Sequence, residues 1–97
     1  MPAYITLISF TEQGVRNVKD TAKRADAITK AGKKAGVTIR EVFWTMGRFD
    51  GVLVFDASDD QTATAAMMTI GRMGNVRSET LRAFGRDEIG TILAKVK

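Results

Sequence analysis

Asp50 is the residue of this chain whose type and setting come nearest to chemistry. It sits in Trp44-Thr45-Met46-Gly47-Arg48-Phe49-Asp50-Gly51-Val52-Leu53-Val54-Phe55, where a Gly-Arg-Phe-Asp-Gly turn joins two apolar strand patterns. A carboxylate pressed into a partly apolar pocket beside Trp44 and Phe49 has its charged form disfavoured. Its pKa then rises, and it becomes a general base or a ligand anchor. Asp-Gly between two apolar runs is equally the signature of a plain hairpin turn. Trp44 would stack on a planar ligand or pack at a core or interface. Tyr4, the only tyrosine, would offer a phenol to a substrate oxygen. Arg77 and Arg82 are five apart on one strand pattern and so point to opposite faces. Arg77 shares its face with Glu79, a pairing that would clamp a carboxylate or form an ion pair at an interface.

Composition narrows these options. The 97 residues include no cysteine and no histidine. Disulfides and thiol chemistry are therefore outside the chain's repertoire, as is the commonest general base near neutral pH. Zinc and haem sites built on those ligands are ruled out with them. The run Asp56-Ala57-Ser58-Asp59-Asp60 lacks the spacing of a calcium loop and reads as helix capping, so no metal site is assigned. No cofactor is expected.

Residues 1–48 carry 9 basic and 4 acidic side chains, against 6 and 7 for residues 49–97. With no RNP or helix-turn-helix motif, the lysines of the first half read as a solvated helix face rather than a nucleic-acid surface. The opening residues show no signal pattern, and no apolar run approaches the ~20 residues of a membrane span. The expectation is a cytoplasmic protein.

The elements that must position Asp50 follow from hydrophobic period. Ala3 to Phe10 reads as a strand, rich in β-branched and aromatic residues. Thr11 caps a short turn or helix to Val18. A longer helix runs from Asp20 or Thr21 to about Ala35, with Ala22, Ala25, Ile28, Thr29, Gly32 and Ala35 on one small-residue face. Val37 to Met46 alternates as a second strand, placing Val37, Ile39, Glu41, Phe43 and Thr45 on one face and Thr38, Arg40, Val42, Trp44 and Met46 on the other. Gly51 to Asp56 is apolar throughout and reads as a strand covered on both sides. Asp59 and Asp60 open a helix with a stripe of Ala63, Ala66, Met67 and Ile70, closed by Gly74. Val76 to Phe84 is a fourth strand. A last helix from about Asp87 to Val96 lines up Ile89, Ile92, Leu93 and Val96.

The order β-α-β-β-α-β with a terminal helix is the ferredoxin-like pattern of an α+β domain, and residues 1–97 read as a single domain. Two helices cover one sheet face. The other face carries apolar residues that a lone copy would leave bare, so the expected partner is the chain itself, as a homodimer or higher symmetric oligomer formed by sheet pairing.

Tyr4-Ile5-Thr6-Leu7, Trp44-Thr45-Met46-Gly47, Asp50-Gly51-Val52, Gly74-Asn75-Val76-Arg77 and Thr80-Leu81-Arg82-Ala83-Phe84 together resemble the GYD-domain family. The resemblance spans nearly the whole chain and implies a domain of the dimeric α+β barrel type. Phe49 stands where the family's name implies tyrosine, so the ring is kept and the hydroxyl lost. The family has no established common activity. Fold-level analogy implies a small organic molecule held in the cleft between sheet and helices, with weak cofactor-free catalysis. Asp50 would be the base or anchor, Trp44 and Phe49 the apolar wall, and Tyr4 a donor. The alternative is a structural or regulatory assembly module with no active site.

Overall fold

A computed structural model describes all 97 residues. Strand β1 (Ala3–Phe10) leads into a short helix α1 (Glu12–Arg16), a 3-10 turn over Val18–Asp20 and helix α2 (Thr21–Lys34). Strands β2 (Val37–Trp44) and β3 (Gly51–Ala57) form a hairpin, followed by α3 (Asp60–Arg72), β4 (Val76–Ala83) and α4 (Arg86–Leu93). The four strands make one antiparallel sheet in the order β2-β3-β1-β4. This is a small α+β ferredoxin-like arrangement, as the element order predicts.

Local chemistry explains the boundaries. Thr11 Oγ1 accepts from Gly14 N–H at 3.1 Å and caps α1, while Asp59 Oδ1 accepts from Thr62 N–H at 2.8 Å and caps α3. Gly36 and Gly74 follow α2 and α3 with φ of +82° and +89°, a region glycine enters without steric cost.

Alternation decides which face is which. Tyr4 and Thr6 of β1 and Leu53, Phe55 and Ala57 of β3 are buried under α2 and α3, with Val37, Ala63 and Met67 completing the core. Thr6 is satisfied there: its hydroxyl pairs with Thr80 Oγ1 at 2.9 Å and contacts Met67 Sδ at 3.3 Å. The intervening residues, Ile5, Leu7, Val52 and Val54, belong to the opposite face, which no helix of this chain covers. Ile5 pairs with Val54 and Leu81, and Leu7 with Val52. The two-sided cover read from the apolar run 51–56 is thus met by this chain on one side only; Val52 and Val54 stay half-buried.

Strict alternation fails in β2. A bulge between Ile39 and Glu41 inserts Arg40 as an extra residue. After it the phase reverses, so Val42 and Trp44 rejoin Val37 and Ile39 on the helix side. Phe43, opposite Val52, joins the open face at 55% exposure. The even-spaced grouping of Val37 with Phe43 is corrected accordingly, and the strand ends at Trp44 rather than Met46.

Only 10 of 97 residues are buried, and the accessible surface is 6919 Å². A folded monomer of this mass is expected to expose about 5,500 Å². The radius of gyration, 14.5 Å, likewise exceeds the ~12.5 Å of a compact chain this long. Part of the excess is α4. It makes little contact with the other elements, and its stripe of Ile89, Leu93 and, just past the helix, Val96 lies open to solvent.

The closest backbone approach lies at Gly14, where an added Cβ would overlap Asn75 O. Gly14→Ala should therefore destabilise the fold by about 1–3 kcal/mol through overpacking. Gly71→Ala, in open space on α3, should be neutral or stabilising by up to about 1 kcal/mol. Urea midpoints of the two variants check this contrast in sign.

Candidate functional site

Asp50 stands where β1 outruns its partner. The β1–β3 ladder ends at the pair Ile8 and Gly51, yet β1 continues to Phe10. Phe10 N–H, left without a β3 residue to bond, donates to Asp50 Oδ2 at 2.8 Å. Asp50 N–H donates to Ile8 O at 2.8 Å, and Asp50 O accepts from Thr45 N–H at 3.0 Å. The side chain thus completes the ladder beyond the last paired residue. Gly47, at φ +98°, and the bond from Thr45 Oγ1 to Phe49 O at 2.6 Å shape the rest of the turn. Gly51 lets the strand lie against Phe43 O, which an added Cβ would approach to 3.1 Å.

Trp44 is half exposed, and its indole N–H donates to Thr21 Oγ1 at 3.0 Å, tying the end of β2 to the start of α2. Trp44 and Asp50 line one small cleft of about 60 Å³ between sheet and α2, together with Phe10, Arg24, Ile28 and Ile70. Phe49 does not line it; its ring lies under the Arg48 guanidinium at 5.3 Å.

Tyr4 is four residues along β1 from Ile8, roughly 13 Å away at the usual strand rise. The structure therefore brings Trp44 and Asp50 together and sets Tyr4 apart. Tyr4 is buried, stacked on Phe55 at 5.2 Å, and its hydroxyl donates to Asp60 Oδ1 at 2.6 Å. That bond, with burial and the negative charge of Asp60, pushes the phenol from 10.0 up to about 12. Arg82 lies over the same ring at 5.7 Å and over Phe84 at 4.5 Å, and donates from Nη2 to Glu88 Oε2 at 2.9 Å. This pair holds the Glu88 carboxyl below its usual range and clasps α4 to the sheet.

Each carboxylate of the 56–60 run has its own partner. Asp56 pairs with Arg40 at 3.5 Å, Asp59 caps α3, and Asp60 receives Tyr4. The cap bond to Thr62 holds the Asp59 carboxyl below the usual range. The Tyr4–Asp60 bond spans 56 residues and carries no local sequence signal.

A larger groove lies between α2 and α3. Its volume is about 490 Å³, with Ala27, Ala31 and Gly32 on one wall, Ala65 and Ala66 on the other, and Val37, Ile39 and Met67 among the residues at its floor. Of the small face predicted for α2, Ile28, Gly32 and Ala35 line this groove, while Ala22, Ala25 and Thr29 do not; Ala27 and Ala31 lie outside the predicted face. Sequence reasoning passed over Arg24, which lines both the groove and the small cleft. Its only signal was a basic residue one turn before Ile28 on an otherwise small-residue face.

The fold and the elements around this cleft define a small α+β domain with a four-stranded sheet, two helices over one face and a terminal helix. The chain belongs to the GYD-domain family, whose model matches residues 4–93. It is 26% identical over 98 residues, covering 100% of both chains, to a Thermus thermophilus protein named as the glutamine synthetase and cystathionine beta-lyase binding protein. It is also similar in fold to the crystal structure of TTHA0845, from the same organism. That match has a TM-score of 0.57 at 23% identity and covers 88% of this chain and 95% of the other. No helix is long and apolar enough to cross a membrane.

The Tyr4 bond sets a pH dependence at the alkaline end. The folded state holds the phenolic proton more tightly than the unfolded chain, so this contribution to stability is complete below about pH 10. It is lost as the pH climbs from 10.0 toward about 12. Tyr4→Phe should lower stability at neutral pH and flatten that alkaline fall, as urea midpoints measured between pH 8 and 12 would show.

Proposed function

We propose that this protein is an assembly module whose work is to bind other proteins from a symmetric oligomer of its own chain. The observation that carries the proposal is the uncovered sheet face. Ile5, Leu7, Val52 and Val54 lie at its centre, flanked by Phe43 and Leu81 at 55% and 44% exposure. Charged residues, among them Arg77, Glu79 and the Arg40–Asp56 pair, rim this apolar centre, the usual anatomy of an interface.

The surface in excess of a compact monomer is on the order of 1,400 Å², more than the ~800 Å² that each partner of a standard interface buries. Two copies meeting face to face would close the layers in the manner of a dimeric α+β barrel. The apolar stripe of α4 would then lie against the neighbouring copy. The name of the Thermus relative, matched end to end, supports enzymes as the further partners, with glutamine synthetase and cystathionine β-lyase the first to try.

A second reading has its own observation. The groove between sheet and helices has a volume of about 490 Å³, in the range of small-molecule sites. It favours a small organic ligand, with Asp50 and Trp44 at the inner end as anchor or base and apolar wall.

Val54→Lys sets a charge at the centre of the open face without touching the core. It should weaken self-association at least ~30-fold, about 2 kcal/mol, while the far-UV circular dichroism stays unchanged. Sedimentation velocity at micromolar protein reads the mass of both forms. A wild-type chain that sediments as a monomer, or a Val54→Lys protein with undiminished association, would refute the sheet-face interface. Biolayer interferometry against the two enzymes of its own host tests the partner claim separately.

A further inference from the structure

Arg24 occupies an unusual place for a surface-helix arginine. Nη1 donates to Asn17 O at 2.7 Å, and this is the only hydrogen bond its guanidinium makes. Nη2 is sealed from solvent and has no hydrogen-bond partner. None of the three ion pairs of the molecule involves Arg24. A buried cationic donor left unpaired is costly, because its desolvation is not repaid by any acceptor. Asp50 lines the same small cleft but does not neutralise it, and one of its carboxylate oxygens is held by Phe10 N–H.

Arg24 lies where the small cleft adjoins the apolar groove. Arg24, Ile28 and Ile70 line both the ~60 Å³ cleft and the ~490 Å³ groove, so the two spaces meet around the Arg24 side chain. Nη2 is closed to both; Nε, which makes no hydrogen bond and is not sealed, is the donor a ligand would reach. Outward from that point the walls are mainly methyl groups and methionine, Ala27, Ala31, Ala66 and Met73, with Thr62 and Thr69 the polar residues among them. A ligand that fits must therefore carry an anionic acceptor at one end and an apolar body at the other. A carboxylate suits the planar fork of arginine and forms charge-assisted bonds with it.

We propose that the groove between α2 and α3 is a binding site for an amphiphilic monocarboxylic acid, its carboxylate on Arg24 and its alkyl or aryl body between the helices. The proposal rests on the second reading above, a small organic molecule between sheet and helices, and names the class of that molecule.

Trp44 is the only tryptophan and lines the cleft beside Arg24, so its fluorescence reports the site directly. The full chain is titrated with 4-phenylbutyrate and with 4-phenylbutanol, which shares the apolar body and lacks the charge. The acid is expected to bind about 10- to 100-fold more tightly, the worth of one charge-assisted hydrogen bond. Arg24→Met should erase that preference and leave the alcohol's affinity unchanged. Arg24→Lys keeps the charge without the fork, should lose part of the preference, and serves if Arg24→Met fails to fold. Ala31→Leu, on the exposed wall, should weaken both ligands.

Equal binding of acid and alcohol to the wild type would overturn the Arg24 anchor and leave the cleft reading intact. Absence of any binding at millimolar ligand would overturn both. Binding seen only in the dissociated Val54→Lys chain would also overturn the proposal, by showing that a second copy fills the groove.

Discussion

Two helices of thirteen and fourteen residues can cover one face of a four-stranded sheet, and this chain supplies no third to cover the other. Most of the molecule's features descend from that constraint. The covered face is small and well defined, centred on Phe55 and Tyr4 and closed by Val37 and Met67. The other face carries the remaining strand residues at their natural alternation, and they are apolar. An interior of 10 buried residues is slight for 97, so the chain draws little stability from its own core.

Within the sheet, side chains finish what the backbone ladder leaves open. Asp50 supplies the acceptor that Phe10 lacks where β3 has already ended, and Trp44 ties the neighbouring strand end to α2. At the other end of β1, Tyr4 reaches across to Asp60, and Arg82 covers the ring while holding Glu88 of α4. The two ends of the central strand are thus fixed by different chemistries. The first also shapes the cleft that contains Arg24. The second supplies the side-chain ion pair that joins the sheet to the terminal helix.

Much of this was legible in the sequence. Period and capping residues placed all four strands and both covering helices, because Ala3–Phe10 and Gly51–Ala57 are strongly apolar and Gly36 and Gly74 stop their helices sharply. The bulge at Arg40 was not legible. One extra residue changes no composition, yet it reverses the faces of Val42, Phe43 and Trp44. Asp50 and Trp44 were singled out and do meet at one cleft. Tyr4 was grouped with them, but it is four residues up the strand and bonded to Asp60. Arg24 was missed because its significance lies in an unmet hydrogen bond between elements, and spacing along one helix does not encode that.

The central claim is that the face bearing Ile5, Leu7, Val52 and Val54 is an interface between copies of this chain. Isotope-filtered NMR on a mixture of methyl-labelled and unlabelled protein tests it at the residues themselves. The account predicts intermolecular NOEs from the methyls of Ile5, Leu7, Val52 and Val54, together with a particle mass that is a multiple of 10.6 kDa. A 10.6 kDa particle would contradict it, as would an oligomer whose intermolecular NOEs arise elsewhere while these methyls show none.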